Sequence, residues 1–222
     1  MKWCWILVGL MATLATRVSV GAENSPGHFV VALRLPEWKS MHFDDSDQAK
    51  EHAEAVKKMG AEVRINEHEG HIDVRYRTNG WKALRVKTDD LAHSWNDWLR
   101  KSGFETLHGH DPDHVHQDPA GHDLVHAPAE VVLVRTTGWV SQHVGDAADA
   151  ADFAVIAEAL RCEVQKADHS GHTDVRFRCP EWTAVEFPTH EAAAAWTEWF
   201  ASRGFQARHQ HNAYASPAAH SH

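Results

Sequence analysis

From Val30 onward the chain alternates short apolar runs with amphipathic stretches, and after a break it does so again. Val30–Leu35 and Val131–Arg135 are nearly continuous apolar runs, the pattern of a central strand. Asp45–Met59 and Asp146–Leu160 are predicted helices, with acidic first turns that suit the helix dipole. Glu62–His68 and His71–Arg77 alternate with a period of 2: Val63, Ile65, Ile72, Val74 and Tyr76 point one way, and Glu62, Arg64, Asp73, Arg75 and Arg77 point the other. Asp89–Ser102 and His190–Arg203 read as the second helices, each with a tryptophan pair at i, i+3 (Trp95/Trp98 and Trp196/Trp199). Gly103 and Gly204 stop these helices, and Phe104–His110 and Phe205–His211 are the last strands. Trp81–Lys87 looks like an extra strand after a hairpin signal at Asn79-Gly80. A two-residue loop there would turn Leu84 and Val86 onto the polar face, so either a bulge intervenes or the other half of the molecule covers that face.

A shift of 101 residues maps Val30–His110 onto Val131–His211 without a gap, with 28 identities in 81 positions. The expected architecture is therefore α+β: two tandem ferredoxin-like βαββαβ two-layer sandwiches from an internal duplication, with room for one extra strand in each. The expected domains are a signal peptide at 1–22, a first repeat at 29–110, a His-rich linker at 111–129, a second repeat at 130–211 and a tail at 212–222.

Met1-Lys2, the apolar run Trp3–Thr16 and the small residues Gly21-Ala22 have the layout of a cleavable export signal, with an uncleaved anchor as the alternative. The run is shorter than the ~20 residues that span a bilayer, so no span is expected after cleavage and the chain is read as periplasmic or secreted. The whole chain carries 22 basic against 31 acidic residues, a formal charge of −9. That balance argues against a nucleic-acid partner.

Two cysteines remain beyond the signal. Counting outward from a two-residue turn at Ser170-Gly171 places Cys162 opposite Cys179, which predicts a disulfide in an exported protein.

The anomaly in composition is 20 histidines in 222 residues. Ten of them fall in pairs kept by both halves: His42/His143, His68/His169, His71/His172, His108/His209 and His110/His211. His68-Glu-Gly-His71 and His169-Ser-Gly-His172 set two imidazoles across the mouth of a turn, where Cβ atoms are ~4.5–5.5 Å apart. Asp73 and Asp174 lie two residues on, on the same face, as a third ligand or as an outer acceptor. His42 and His143 follow the first strand and are expected at the same edge. His108-Gly-His110 and His209-Gln-His211 share a face as i, i+2 pairs; they reach that edge only if Trp81–Lys87 is a full strand. The linker adds His114, His116, His122 and His126 as an adaptable, weaker metal-binding tract. Imidazole with carboxylate suits a divalent transition metal, zinc foremost, with copper(II), nickel and cobalt also served.

No nucleophile elbow, phosphate loop or His-Glu-x-x-His helix is present, so no catalytic residue is expected. The leading expectation is an exported, non-enzymatic protein that binds divalent metal for buffering, storage or delivery. The strand–helix–strand–strand–helix–strand order, with Gly after each helix, also loosely resembles the SPOR cell-wall-binding domains, in topology alone. That resemblance implies a cell-envelope partner, glycan or protein, with the histidines incidental. A metalloenzyme and a pH-responsive protein are the further alternatives. With an unperturbed histidine pKa of ~6.5, acidification would reverse the charge of the chain.

Overall fold

The computed structural model describes residues 28–68, 70–113 and 130–210. The expected signal peptide, the linker histidines His114, His116, His122 and His126, together with His211 and the tail, lie outside the described residues. The first repeat runs β1 (Phe29–Arg34), β2 (Lys39–Phe43), α1 (Ser46–Lys58), β3 (Glu62–His68), β4 (His71–Arg77), β5 (Lys82–Val86), α2 (Asp89–Lys101), β6 (Glu105–Leu107) and β7 (Gly109–His110). The second runs β8 (Glu130–Arg135), β9 (Val140–Val144), α3 (Ala147–Ala159), β10 (Glu163–His169), β11 (His172–Arg178), β12 (Thr183–Phe187), α4 (His190–Ser202) and β13 (Gln206–Gln210).

All four helices start where a short polar side chain caps them. Asp45 and Asp146 each accept two backbone N–H groups of the first turn, and Thr88 and Thr189 each accept one. The expected helix boundaries hold to within about a residue at each end.

The strands form four small antiparallel sheets, β5-β1-β6 and β2-β4-β3 in the first repeat, β13-β8-β12-β7 and β10-β11-β9 in the second. Register shows that each pair of sheets is one bent sheet. Phe29 lies opposite Val86 and Leu33 opposite Lys82; in the same unbroken register Lys39 lies opposite Tyr76 and Phe43 opposite Ile72. β1 and β2 are thus two halves of one strand, and β4 and β5 two halves of its neighbour. The second repeat does the same, from Glu130 opposite Phe187 to Val144 opposite Thr173. The resulting order, β3, β4/β5, β1/β2, β6, is that of a ferredoxin-like sandwich. At the bend the backbone pairing is held by one threonine: Thr78 Oγ1 accepts the Leu35 N–H at 2.7 Å, and Thr136 Oγ1 accepts the Cys179 N–H at 2.9 Å from the opposite strand.

This continuity corrects the expected hairpin at Asn79-Gly80. Gly80, at φ +69°, kinks a strand that carries on, so no turn reverses it. Parity is preserved across the kink, and Leu84 and Val86 stay with Val74 and Tyr76 in the core of the first repeat. The other face of the same sheet is covered as well. Ala32, Trp81 and Leu107 pack into the core of the second repeat, with Ala150, Phe153 and Ala157 of α3 in the same cluster. The strands β2 and β9 were not anticipated, because Lys39-Ser-Met-His-Phe and Val-Ser-Gln-His-Val expose every second residue and bury the rest only in part. Ile65 is also corrected: it keeps its expected parity but is 48% exposed, since β3 is an edge strand.

The two repeats are joined by more than packing. β7, the end of the first repeat, pairs with β12 of the second, Gly109 opposite Val185 and His110 opposite Ala184. Trp81 N–H donates to Asp152 Oδ1 at 2.9 Å, Arg100 Nη2 donates to the Glu186 carbonyl at 2.6 Å, and Arg85 pairs with Glu158.

Cys162 and Cys179 meet where the counted register puts them, with their side chains in contact. The counted register is right, since Glu163 lies opposite Arg178 and the cysteines flank that pair. Both cysteines are buried. Burial, and then the hydrogen bond with Cys179, pushes the Cys162 thiol well up.

Candidate metal centres

The hairpin at each repeat delivers the expected facing pair, His68 opposite His71 and His169 opposite His172. β2 and β9 add the third imidazole. His42 lies directly opposite Asp73, and His143 opposite Asp174. These side chains stand on the sheet face turned away from the repeat's own helices, which leaves them exposed or half-buried.

The rings converge, and in the second repeat His169 joins them with its centroid 5.0 Å from that of His172. His42 and His71 have centroids 4.6 Å apart, and His143 and His172 are 4.1 Å apart. In the first repeat the ligand atoms that gather within 4.8 Å belong to His42, His71 and Asp44; in the second they belong to His143, His172 and Asp174. His68 and His169 stand beside these groups, with Nε2 at 3.6 and 3.4 Å from the Oδ2 of Asp73 and Asp174.

Carboxylates fix the imidazoles. His42 Nδ1–H donates to Asp73 Oδ1 at 2.9 Å, and His143 Nδ1–H donates to Asp174 Oδ1 at 2.9 Å. That bond sets the tautomer and leaves Nε2 as the lone-pair atom, the arrangement in which a carboxylate steadies a metal-bound histidine. The same bonds hold the Asp73 and Asp174 carboxyls below their ordinary range. Asp44 Oδ1 accepts from His71 Nδ1 at 2.9 Å and lies 3.8 Å from His42 Nε2, so a bound ion would replace the proton between Asp44 and His71. Gly145 takes the place of Asp44 in the second repeat.

His108 and His110 do not reach the hairpin edge. Because β4/β5 is a single strand, β6 runs back antiparallel to β1 and carries them to the opposite end of the repeat. There α2 begins, and His93 of α2 meets them with ring centroids 4.8 Å from His108 and 5.2 Å from His110. Asp89 completes a second group with His93 and His108. The matching end of the second repeat gathers Glu130, His190 and His209. There His209 Nε2–H donates to Glu130 Oε2 at 2.6 Å, and this bond holds the Glu130 carboxyl below its ordinary range.

Asp44, Asp89, His93, Glu130 and His190 are the residues that sequence reasoning missed. Selecting histidines kept by both halves discards private ones: Ala194 stands where the first repeat has His93, and Phe29 where the second has Glu130. The signal that could have found them is the helix start, where His93 follows Asp89 at i+4 on one face.

Most tryptophans build structure. Trp81 is buried, and Trp196 and Trp199 pack against the second core. Trp38 lies under Arg64 and Arg77 at 4.4 and 4.8 Å, and Trp182 sits between Arg135 and Arg208 at 4.4 and 4.7 Å. Between the repeats a cleft of about 740 Å³ is lined by Trp81, Trp196, Trp199 and Arg34, with His143 and Gly145 also on its wall.

No family model and no curated protein matches the chain. One solved structure, described as a putative glycine cleavage system transcriptional repressor, aligns over 83% of this chain and 96% of its own at 10% identity and a TM-score of 0.17. A likeness that slight carries no argument, and the fold stated above rests on strand register. Among the described residues no helix is long and apolar enough to cross a membrane.

Proposed function

We propose that the chain is an exported, non-enzymatic protein that binds a divalent transition metal, zinc foremost, for buffering, storage or delivery. The observation that carries this reading is the convergence, twice, of two imidazoles and an aspartate at the hairpin end: His42, His71 and Asp44, then His143, His172 and Asp174. Each group holds one histidine already oriented by a carboxylate. Donors of this kind suit Zn²⁺, Cu²⁺, Ni²⁺ or Co²⁺. Three donors, all exposed in the first group and half-buried but for His143 in the second, leave coordination positions to water or to a ligand from a receiving molecule, which favours exchange over permanent retention. The linker histidines would add a weaker, adaptable phase.

Calorimetric titration of the metal-free chain with Zn²⁺, Cu²⁺ and Ni²⁺ tests it. At the hairpin ends two equivalents should bind more tightly than the linker alone, and His42→Ala, His71→Ala, His143→Ala and His172→Ala together should remove those two and spare the weak phase. Binding no tighter than that of a histidine tag would end the proposal.

The cleft supports a second reading, a metalloenzyme acting on a ligand seated between the repeats, because Gly145 leaves the His143 group open on that side. Zinc-loaded protein that hydrolyses no activated ester or phosphoester, while still binding metal, would set that reading aside.

A further inference from the structure

We infer that the end of the first repeat opposite the hairpin holds its own, more tightly retained zinc-type ion, bound by Asp89, His93 and His108, and that this ion fastens the junction between the repeats. This proposal does not depend on the exposed hairpin sites being functional.

The geometry of His108 is the starting point. Its side chain is 2% exposed. Its Nδ1 lies 3.1 Å from the Val30 carbonyl oxygen, which can only accept, so Nδ1 carries the hydrogen. In the neutral ring Nε2 is then a lone pair. That atom is shut off from solvent, makes no hydrogen bond, and points at Asp89 Oδ1 3.2 Å away. A buried imidazole lone pair and a carboxylate oxygen at that distance are two donors that one cation between them would join.

A metal ion supplies that charge with the right dimensions. Two donors on one tetrahedral ion with bonds of ~2.0–2.1 Å are about 3.3 Å apart. His108 Nε2 and Asp89 Oδ1 already stand at that separation. His93 Nε2 lies 3.6 Å from Asp89 Oδ2, and one ligand atom from each of the three residues lies within 4.8 Å of the others. Two imidazoles with one carboxylate form the donor set of many zinc sites. His110, whose ring is 5.2 Å from that of His93, is a further donor among the described residues.

The place of the site gives it a consequence. His108 lies between β6, in the first repeat's sheet, and β7, which is paired to β12 of the second. His110 Nε2 lies 4.0 Å from Glu186 Oε1 on β12. An ion bridging α2 to this segment would pin the strand that ties the halves together. The hairpin groups are exposed on all three residues in the first repeat, whereas here His108 is buried and its partners are half-buried. Slower release follows.

The test uses the full chain, stripped of metal and reloaded with Zn²⁺ alone. After passage over a weak chelating resin, one equivalent should remain, and it should raise the melting temperature. His93→Gln, at a half-buried position, should weaken that equivalent by at least the roughly 10- to 100-fold that loss of an outer partner already costs, and should abolish the rise. The fourfold hairpin variant named above should keep both. Co²⁺ loading should give the intense visible absorption of a four-coordinate ion, lost in His93→Gln and in His108→Ala. If His108→Ala fails to fold, His93→Gln and the cobalt spectrum decide. Retention of zinc by His93→Gln, or loss of every retained ion in the hairpin variant, would overturn the proposal. So would a wild-type chain that holds no ion after the resin, which would leave an imidazolium–aspartate pair as the content of this pocket.

Discussion

His42 Nδ1 lies 2.9 Å from Asp73 Oδ1, and His143 Nδ1 lies 2.9 Å from Asp174 Oδ1, so the same histidine–carboxylate bond has been kept across the duplication. In the first repeat Asp73 is outside the group of ligand atoms and acts on the metal through His42. Asp73→Asn should weaken the first hairpin site about 10- to 100-fold while leaving every ligand in place. Zinc titration with the second site disabled checks it, and unchanged affinity would show that the carboxylate does not orient His42. The bond also sets a pH sign. Its depressed Asp73 carboxyl contributes stability that is complete above the ordinary value of 3.8 and lost as pH falls through the lower folded value.

Gly145 separates the two hairpin sites. It takes the place of Asp44, and a Cβ added there meets nothing within 4 Å. Gly145→Asp should therefore fold normally and raise the zinc affinity of the second site by about tenfold, or ~1.4 kcal/mol. Asp44→Gly should lower that of the first by a similar factor. Single-site titrations that show no change in either direction would remove Asp44 from the ligand set.

His52 is a half-buried histidine set against the first core. It packs among Phe43, Tyr76 and Trp98, with ring centroids 5.1 to 5.7 Å away, and its Nε2 is buried without a hydrogen bond among the described residues. Burial pushes its pKa below the ordinary 6.5. The unfolded chain therefore binds this proton more readily, and the stability tied to neutral His52 is complete above pH 6.5 and falls as pH drops from there through the lower folded value. Phe153 occupies the equivalent place in the second repeat, against Phe177 and Trp199. His52→Phe should flatten the decline below pH 6.5 and add about 1 kcal/mol at pH 6. Denaturant melts at pH 8, 6 and 5 measure both, and parallel pH profiles for the two proteins would refute the assignment.

Gly109 marks a close approach between the halves. A Cβ there would stand 2.5 Å from Thr183 Cγ2 and 2.9 Å from the Ala159 carbonyl oxygen. Gly109→Ala should cost ~1–3 kcal/mol through overpacking and should loosen β7 from β12. Hydrogen exchange at Val185 reads the second effect. A variant as stable as the parent, with Val185 equally protected, would show that the junction is softer than this spacing implies.

Much of this was legible in the chain because it is local. The duplication, the helix limits set by Asp45, Thr88, Asp146 and Thr189, and the facing of His68 with His71 follow from periodicity and capping, which act over a few residues. Shared histidines pointed to the hairpin edge, and His42 and His143 do arrive there. What was hidden depends on contacts between distant segments. Asn79-Gly80 carries a turn signature, yet strand pairing with β1/β2 keeps the chain straight enough to continue. Cys162 and Cys179 were counted into the right register, yet register does not decide whether two buried sulfurs are joined.

By itself the sequence determined two copies of one α+β unit and the histidines each presents at its hairpin, since side-chain alternation and turn chemistry are written residue by residue. The tertiary structure alone decided that the sheet is bent rather than folded back, that α3 covers the outer face of the first repeat, and that Asp89, His93 and His108 meet. Those three converge because α2 docks over the end of β6, and a docking angle is set by the fit of whole surfaces, which no short stretch of sequence contains.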